Sequence, residues 1–372
     1  MTDRVLILGG RGRIGSRVAQ DLVSHTQAQV TVTGRPTTVE GLARQEAEPQ
    51  VQFLSLDLAD TEGLQKAIAS HDLVIHCAGP FLYRDASVLQ TCIKQGVNYL
   101  DVSDNRAFTC KALSYRDAAA AAGVTAIINT GIFPGVSNSM VRRDVEQLDE
   151  AQRIHLSYLV AGSGGAGVTV MRTTFLGLQQ PFDVWCDNQW QQVKPYSDRE
   201  TIKFPPPFGK AGVYWFDMPE AFTLVDSFPV QTVITKFGSI PDLYNHLTWI
   251  SAHIFPSSWL KNPAGIEFLS HVSYRMTQVS DRFSGIGVAI RSEVTGYKDS
   301  EPAKVCSTLV HDNTAVAAGA GTGSIAELML MGKIDKPGVW PVEQALSTEL
   351  FERTMQSRSI EIHDETTVKG NG

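Results

Sequence analysis

The sequence predicts an α/β protein with two domains: an N-terminal doubly wound parallel sheet and a second α+β domain built on a mainly antiparallel sheet. Its 372 residues are too many for one ordinary core. Over residues 1–135, short and wholly apolar strands alternate with helical stretches, which is typical of a parallel sheet covered on both faces. After residue 136, longer stretches of alternating polarity follow, and these predict antiparallel pairing.

The first domain, residues 1–135, is predicted from apolar runs that end near glycine, proline or aspartate. The predicted strands are Val5–Leu8, Gln29–Thr33, Val51–Asp57, Leu73–His76, Tyr99–Val102 and Thr125–Asn129. The predicted helices are Ile14–Ser24, Thr61–Ser70, Ala86–Gln95 and Phe108–Ala122. Parallel strands of this kind bring their carboxyl ends to one edge of the sheet, where α/β proteins bind their ligands.

The second domain, residues 136–311, is expected to contain few helices. Its alternating stretches are "RIHLSYLVAG", "GVYWFDM", "QTVITKFG", "GIGVAIRSEVTGY" and "AKVCSTLVH". Residues 315–331 are predicted to be helical, and the segment 312–345 to pack back on the first domain. Residues 244–260 predict a buried or partner-facing helix, with contact to a lipid surface as the alternative. The polar segment 357–372 is expected to be frayed.

Composition excludes several classes of partner. A net charge of −7 and a pI near 5.7 argue against a nucleic-acid surface, which needs a basic stripe. Five scattered cysteines without a Cys-x-x-Cys pair are typical of a reduced, cytoplasmic chain. The first strand begins near Arg4, which leaves no room for a signal peptide, and no run of about 18 apolar residues predicts a membrane span.

The stretch "RVLILGGRGRIGSRVAQDLV", residues 4–23, places Gly9, Gly12 and Gly15 between a strand and a helix. A helix N-terminus presents unpaired N–H groups and partial positive charge, and glycine lets a pyrophosphate approach them. This context favours a dinucleotide site over the alternative, a purely structural turn.

The end of the second strand predicts which dinucleotide binds. NAD sites carry an acid there, about 20 residues after the turn, to hold the ribose 2′-hydroxyl. This chain has Thr33, Gly34 and Arg35 instead, and a guanidinium suits the 2′-phosphate of NADP(H). Arg11 and Arg13 add positive charge beside the turn. The alternative is that Arg35 is a solvated loop residue.

Two further strand ends complete the predicted cofactor site. Asp57 closes the third strand, where it can accept a hydrogen bond from the adenine amino group, and Asp60 suits the role of helix cap better. The segment Cys77–Pro80 is small enough to pass close to the ribose and nicotinamide. The predicted cofactor-binding residues are Gly9, Arg11, Gly12, Arg13, Ile14, Gly15, Gly34, Arg35, Asp57, Leu58, Cys77, Ala78, Gly79 and Pro80.

Candidates for substrate binding and catalysis are less specific. Asp101, Ser103 and Asp104 lie at the carboxyl end of the fifth strand, where they either face a ligand or cap the next helix. Ser137 and Asn138 lie at the start of another helix. They cap this helix, contact the nicotinamide amide, or do both. The glycine-rich stretch 162–177 contains Thr169 and Arg172, which can hold a substrate carboxylate or lie in an ordinary loop and helix. Asp101 and Cys77 are weak catalytic candidates, and no His or Cys spacing predicts a metal site.

The order of six motifs resembles the saccharopine dehydrogenase/reductase-like family. These are "GGRGRIG", "TGR", "LDLAD", "CAGPF", "GVNYLDVSD" and "GIFPGVSN", which span residues 9–138. The resemblance implies a Rossmann domain that binds NAD(P) and a second domain that binds substrate and often forms a homodimer. Members of the family reduce or oxidise C–N bonds of amino-acid and polyamine conjugates, and relatives act on other substrates, including lipids.

The resemblance and the residues together predict an NADP-dependent oxidoreductase. Short-chain dehydrogenases need a Tyr-x-x-x-Lys pair, and none of the nine tyrosines has lysine four residues later. Hydride transfer to or from a C=N bond of an amino-acid- or amine-derived substrate needs less proton assistance than transfer to C=O or C=C. A non-catalytic NADP-binding scaffold or redox sensor is the alternative. A reductase of an apolar, membrane-derived substrate is a further one.

Overall fold

Backbone contacts divide the chain into two units, Met1–Val136 with Ala315–Arg358 and Ser137–Thr314 with Ser359–Gly372. The structure is a computed structural model that describes residues 2–34, 49–164, 167–255 and 262–365, without the side chains of residues 169, 170, 283 and 284. Each unit is built on its own sheet, and the predicted fold class is confirmed.

In the described part of the first unit, seven strands form one parallel sheet. The strands are β1 (Arg4–Leu8), β2 (Gln29–Gly34), β3 (Val51–Ser55), β4 (Leu73–His76), β5 (Asn98–Asp101), β6 (Thr125–Ile128) and β15 (Gly338–Pro341). Their order is β15-β6-β5-β4-β1-β2-β3, so the chain reverses direction across the sheet beside β1. Ligands bind α/β sheets at the carboxyl ends of the strands at such a reversal.

Helices cover this sheet and bury its apolar strands. They are α1 (Arg13–His25), α2 (Thr61–Ala69), α3 (Ser87–Gln95), α4 (Arg106–Leu113), α5 (Arg116–Ala121), α11 (Thr314–Leu330), α12 (Val342–Ala345) and α13 (Thr348–Ser357). The predicted single helix over Phe108–Ala122 is wrong, because the chain forms α4 and α5 with a break at Ser114. The Ser114 hydroxyl donates to the Lys111 carbonyl oxygen at 2.7 Å, which satisfies an acceptor at the end of α4.

The helix α11 packs tightly on α1, the helix that follows the glycine turn. A Cβ on Gly319 would lie 2.6 Å from the Arg17 Cβ, and one on Gly323 would lie 2.1 Å from an Asp21 carboxylate oxygen. The two glycines, four residues apart, therefore let the helices approach closely. Arg358, which follows α13, donates to Asp21 at 2.7 Å and lies 2.9 Å from Glu327.

In the described part of the second unit, a mixed sheet has the order β10-β11-β12-β7-β13-β14-β16, with β8 beside β12 and β9 beside β8. The strands are β7 (Glu150–Ala161), β8 (Phe182–Cys186), β9 (Gln189–Val193), β10 (Glu200–Lys203), β11 (Lys210–Trp215), β12 (Thr232–Ile240), β13 (Gly287–Lys298), β14 (Glu301–His311) and β16 (Ile362–Glu365). Among these pairs, β7 and β12 run parallel and the others antiparallel.

Two features of the second unit differ from the sequence prediction. Its helices are α6 (Val136–Val145), α7 (Val168–Leu176), α8 (Glu220–Ser227), α9 (Leu243–His253) and α10 (Pro263–Ser284). The long α10 was not predicted; it begins after Asn262, whose side chain accepts a hydrogen bond from the Ala264 N–H group. The C-terminal segment is not frayed over Ile362–Glu365, because these residues pair with β14. No helix in the described ranges is long and apolar enough to cross a membrane.

We predict that Arg358→Ala lowers the free energy of unfolding by about 3–5 kcal/mol, because it leaves two carboxylates without their buried partner. The Arg358 side chain is 2% exposed. Urea denaturation measures the effect. Arg4→Ala is the matched control: it removes an exposed pair with Asp72 and is expected to cost at most about 1 kcal/mol. Equal losses in the two variants would contradict the prediction.

Candidate cofactor and substrate site

The glycine turn between β1 and α1 is shaped by contacts that only glycine allows. Gly9 has φ +74°, and a Cβ there would lie 2.9 Å from the Ala78 Cα. A Cβ on Gly15 would lie 2.5 Å from the Gly9 carbonyl oxygen. The turn is further fixed by a hydrogen bond from the Gly12 N–H group to that oxygen, at 2.8 Å. The predicted turn therefore forms with α1 packed directly against it.

The N-terminus of α1 has the features of an anion site. Its cap residue is Gly12, which has no side-chain capping bond, and its first turn contains no acid. The N–H groups of Arg13, Ile14 and Gly15 belong to this first turn, where helix geometry provides no backbone acceptor. An uncapped first turn next to glycines attracts an anion. These residues fit the pyrophosphate of a dinucleotide.

The end of β2 brings Thr33, Gly34 and Arg11 together. The Gly9 N–H group donates to the Thr33 hydroxyl at 3.2 Å. A Cβ on Gly34 would lie 2.9 Å from the Arg11 Cδ, so the Arg11 side chain passes over the strand end. Its guanidinium lies 4.9 Å from the centre of the Phe53 ring, a cation–π distance. Arg35 lies outside the described residues, and Arg11 supplies positive charge at this position.

Asp57 and Asp60, which follow β3, have different roles. The Asp57 carboxylate is exposed and accepts a hydrogen bond from the Ala59 N–H group at 3.0 Å. Asp60 caps α2 by accepting from the Gly63 N–H group, as the sequence suggested. Leu58 packs against the core of the first unit. Asp57 therefore stays available to a ligand at the surface.

The segment Cys77–Pro80 follows β4 on the same edge of the sheet. The Cys77 N–H group donates to the Leu8 carbonyl oxygen at 2.8 Å, and the Ala78 carbonyl oxygen accepts from Arg84 at 2.7 Å. Gly79 and Pro80 are half-buried. Burial, and then the neighbouring Asp101, raise the pKa of the Cys77 thiol. A thiol held in its protonated form is a poor nucleophile.

Asp101 holds together the ends of β5 and β6. It is fully buried, and its carboxylate accepts hydrogen bonds from the N–H groups of Ser103 and Asn129, both at 3.0 Å. Burial raises the pKa of Asp101 to about 6, against the opposing effect of these N–H donors. In the parallel register Asp101 stands beside His76. Burial lowers the pKa of His76 to about 3.

The helix cap after β5 is neither Ser103 nor Asp104. Asn105 caps α4 by accepting from the Phe108 N–H group at 2.9 Å. The Ser103 hydroxyl is buried and accepts from the Asn105 N–H group at 3.2 Å. Asp104 is half-buried on this loop. The capping alternative is thereby assigned to a residue that the sequence analysis did not name.

Ser137 and Asn138 belong to a buried polar cluster within the second unit. The Ser137 hydroxyl donates to Glu220 at 3.1 Å, and the Tyr158 hydroxyl donates to the same carboxylate at 2.6 Å. The Asn138 amide donates to the Thr223 hydroxyl at 3.3 Å. These bonds attach the start of α6 to α8 and β7.

Arg172, the predicted carboxylate-binding residue, already has a carboxylate partner. Its guanidinium pairs with Glu267 on α10, with a distance of 2.7 Å between Nη2 and Oε2. The helix α7 begins after Gly167 without a side-chain cap. Thr169 lies in this helix, and its side chain is outside the described part. The pairing with Glu267 occupies the guanidinium N–H groups that a substrate carboxylate would need.

Three residues of these clusters were missed by the sequence analysis. Asn129 has φ 59° and is buried, and its amide donates to the Ser103 carbonyl and to the Thr109 hydroxyl. An asparagine directly after a buried strand is a usable signal, since asparagine tolerates the left-handed region. Glu220 and Tyr158 are distant in sequence from Ser137 and gave no local signal. Among the described residues, no group of three or more His, Cys, Asp or Glu side chains could hold a metal ion.

Comparisons with known proteins show which proteins the chain is similar to. Residues 5–127 match the family model of the saccharopine dehydrogenase NADP binding domain. Carboxyaminopropylagmatine dehydrogenase from Synechocystis sp. is 24% identical over 92% of this chain and 92% of its own. Carboxynorspermidine synthase from Vibrio cholerae is 23% identical over 84% and 82% of the two chains. Saccharopine dehydrogenase (L-Glu forming) from Saccharomyces cerevisiae has the same fold, with a TM-score of 0.71 at 16% identity over 98% of this chain and 100% of that one.

We predict that Gly12→Ala weakens NADPH binding about ten-fold or more, about 1.4 kcal/mol, while the urea midpoint stays near that of the wild type. Among the described residues, a Cβ at Gly12 would meet one atom closely, the Gly9 carbonyl oxygen at 3.0 Å, but it would occupy the approach to the first-turn N–H groups of α1. Fluorescence titration with NADPH measures the change. Ser16→Ala, on the next turn of α1, is the control. Wild-type affinity in Gly12→Ala would contradict a cofactor role for this turn.

We predict that the stability difference between wild type and Asp101→Asn depends on pH. The folded-state pKa of about 6 lies above the unfolded value of about 3.9. The stability that protonated Asp101 contributes is therefore fully present below pH 4 and is lost as the pH rises through 6. Relative to Asp101→Asn, the wild type should lose about 3 kcal/mol over this range. Urea unfolding at several pH values measures the difference, and a constant difference would contradict it.

Proposed function

We propose that this chain, whose residues 5–127 match the saccharopine dehydrogenase NADP binding domain, transfers hydride between NADP(H) and a C=N bond of an amino-acid- or amine-derived substrate. That match and the relative named as a dehydrogenase identify the chain as an NADP-binding oxidoreductase. The observation that carries the finer proposal is the end-to-end similarity to relatives named for carboxyaminopropylagmatine and carboxynorspermidine. Both names denote an amine that also carries a carboxyl group.

The first unit has the residues that NADP(H) needs. The first-turn N–H groups of Arg13, Ile14 and Gly15 would hold the pyrophosphate, and the Arg11 guanidinium would meet the 2′-phosphate. The exposed Asp57 would accept from the adenine amino group. When bound, NADPH supplies the hydride. The chain's own contribution is to hold the dinucleotide along the carboxyl edge of the sheet.

The buried groups near this edge support a reaction that relies on positioning. Burial raises the pKa of the Cys77 thiol, so Cys77 stays protonated at neutral pH. Asp101 is engaged by two backbone N–H groups. An iminium is already an electrophile: hydride adds to its carbon, and the nitrogen keeps its proton and becomes an amine. Orientation supplies most of the rate enhancement in such a reaction.

The proposal also includes the cellular location of the protein and its oligomeric state. All five cysteines are free thiols, which supports a reducing, cytoplasmic location. The family resemblance supports a homodimer formed through the second unit. Both statements are part of the proposal.

NADPH oxidation with a panel of α-keto acids and aldehydes, each with and without a diamine or amino acid, tests the proposal. We expect oxidation to require the carbonyl compound and the amine together, because only then does a C=N bond form. Gly12→Ala at subsaturating NADPH is the control and should slow oxidation. Oxidation with a carbonyl compound alone would contradict the choice of bond. Silence across the panel in a protein that binds NADPH would favour a non-catalytic scaffold.

A further inference from the structure

The outward face of α10 carries an exposed apolar stripe. Phe268 and Val279 are each 64% exposed, and Val272 and Met276 are 39% and 37% exposed. Spacings of four, four and three residues place these side chains along one side of a helix. In the described structure, all four side chains are more than one-third exposed. Four large apolar side chains in one row are more than the scattered exposed residues of an ordinary surface.

The opposite side of α10 is the one that packs into the second unit. Ile266, Ser270 and Thr277 are buried there, and the Ser270 hydroxyl donates back to the Ile266 carbonyl oxygen. These positions lie about half a turn away from the stripe at 100° per residue. The helix is therefore anchored by a small and partly polar inner face, while its larger apolar side chains point outward.

Charges on α10 are segregated between the two sides. Glu267 pairs with Arg172, and Asp281 accepts from the N–H group and the hydroxyl of Ser163, both at 2.7 Å. Both acids are thus engaged by α7 and the loop after β7. Arg275 and Arg282 are exposed and lie beside the stripe. The outward face combines apolar and cationic side chains in a chain whose net charge is −7.

The neighbouring helix α9 extends this surface. Leu243, Leu247 and Ile254 are 57%, 38% and 63% exposed, and their spacing places them on one side of α9. The Tyr244 hydroxyl donates to the Ser280 hydroxyl at 2.7 Å and joins α9 to α10. Three exposed apolar side chains from α9 and its end thus join the four of the α10 stripe.

We propose that this surface, the outward face of α10 with Leu243 and Leu247 of α9 and the adjoining Ile254, binds the headgroup region of an anionic lipid bilayer. An amphipathic helix with an apolar face and flanking cations lies in that region, and anionic lipids attract the cations. A second copy of the chain fits less well. A two-fold contact places the same patch on both sides. Arg275 and Arg282 of both copies would then lie in one interface, and the patch has no acid to pair with them.

Co-sedimentation with lipid vesicles tests the proposal. The vesicles are phosphatidylcholine alone, or phosphatidylcholine mixed with an equal amount of phosphatidylglycerol. We expect the full chain to bind the mixed vesicles more tightly and to be released by salt. Arg275→Gln with Arg282→Gln should weaken this binding about thirty-fold. Phe268→Ser with Val279→Ser should weaken binding to the mixed vesicles while its salt dependence persists.

Met331→Ser is the matched control, because Met331 is 59% exposed and lies in the first unit, outside this surface. It should bind vesicles as the wild type does, and all variants should keep wild-type NADPH affinity, which reports folding. Equal binding to both kinds of vesicle, or none, would overturn the proposal. The proposal would also be overturned if the protein did not bind vesicles and instead formed a dimer, measured by sedimentation velocity, that Phe268→Ser with Val279→Ser dissociates.

Discussion

The approach of Gly15 to the Gly9 carbonyl oxygen is the contact on which the cofactor site depends. A Cβ at Gly15 would stand 2.5 Å from that oxygen, so only glycine lets α1 begin directly over the end of β1. The same turn presses Gly9 against Ala78 after β4, which ties two strand ends together at the reversal of the sheet. With α1 fixed this way, its first turn begins after a glycine that makes no side-chain cap. Shape and charge for an anion follow from one steric constraint.

Packing behind α1 preserves this geometry. Gly319 and Gly323 of α11 let that helix approach Arg17 and Asp21 on the far side of α1, and Arg358 closes the contact with a buried ion pair. The carboxyl edge is stabilised differently: the Asp101 carboxylate ties two loops through backbone N–H groups. A charged group with two such donors tolerates burial, although its pKa rises. Polar residues at strand ends therefore serve first to hold the loops that a ligand would contact.

Local sequence patterns predicted the parts of the structure that local physics decides. Apolar runs marked β1 to β6, alternating stretches marked β7, β11, β12, β13 and β14, and the glycine spacing marked the turn before α1. The break at Ser114, the helix α10 and the pairing of Ile362–Glu365 with β14 depend on tertiary partners that no local pattern reveals. The same holds for Arg172, which looked available for a substrate until Glu267 was found 95 residues further along the chain. Glu220, which binds Ser137 and Tyr158, is another long-range partner of this kind.

We infer that the turn and the end of β2 form a site for NADP(H) in which the Arg11 guanidinium pairs with the 2′-phosphate. Titrating wild type, Arg11→Glu and Lys66→Glu with NADPH and with NADH tests it most directly, since Lys66 is an exposed cation on α2 and its variant changes the net charge equally. We expect the wild type to bind NADPH more tightly than NADH. Arg11→Glu alone should lose this preference while it keeps its affinity for NADH. Equal affinity of the wild type for both dinucleotides, or an equal effect of the two substitutions, would contradict it.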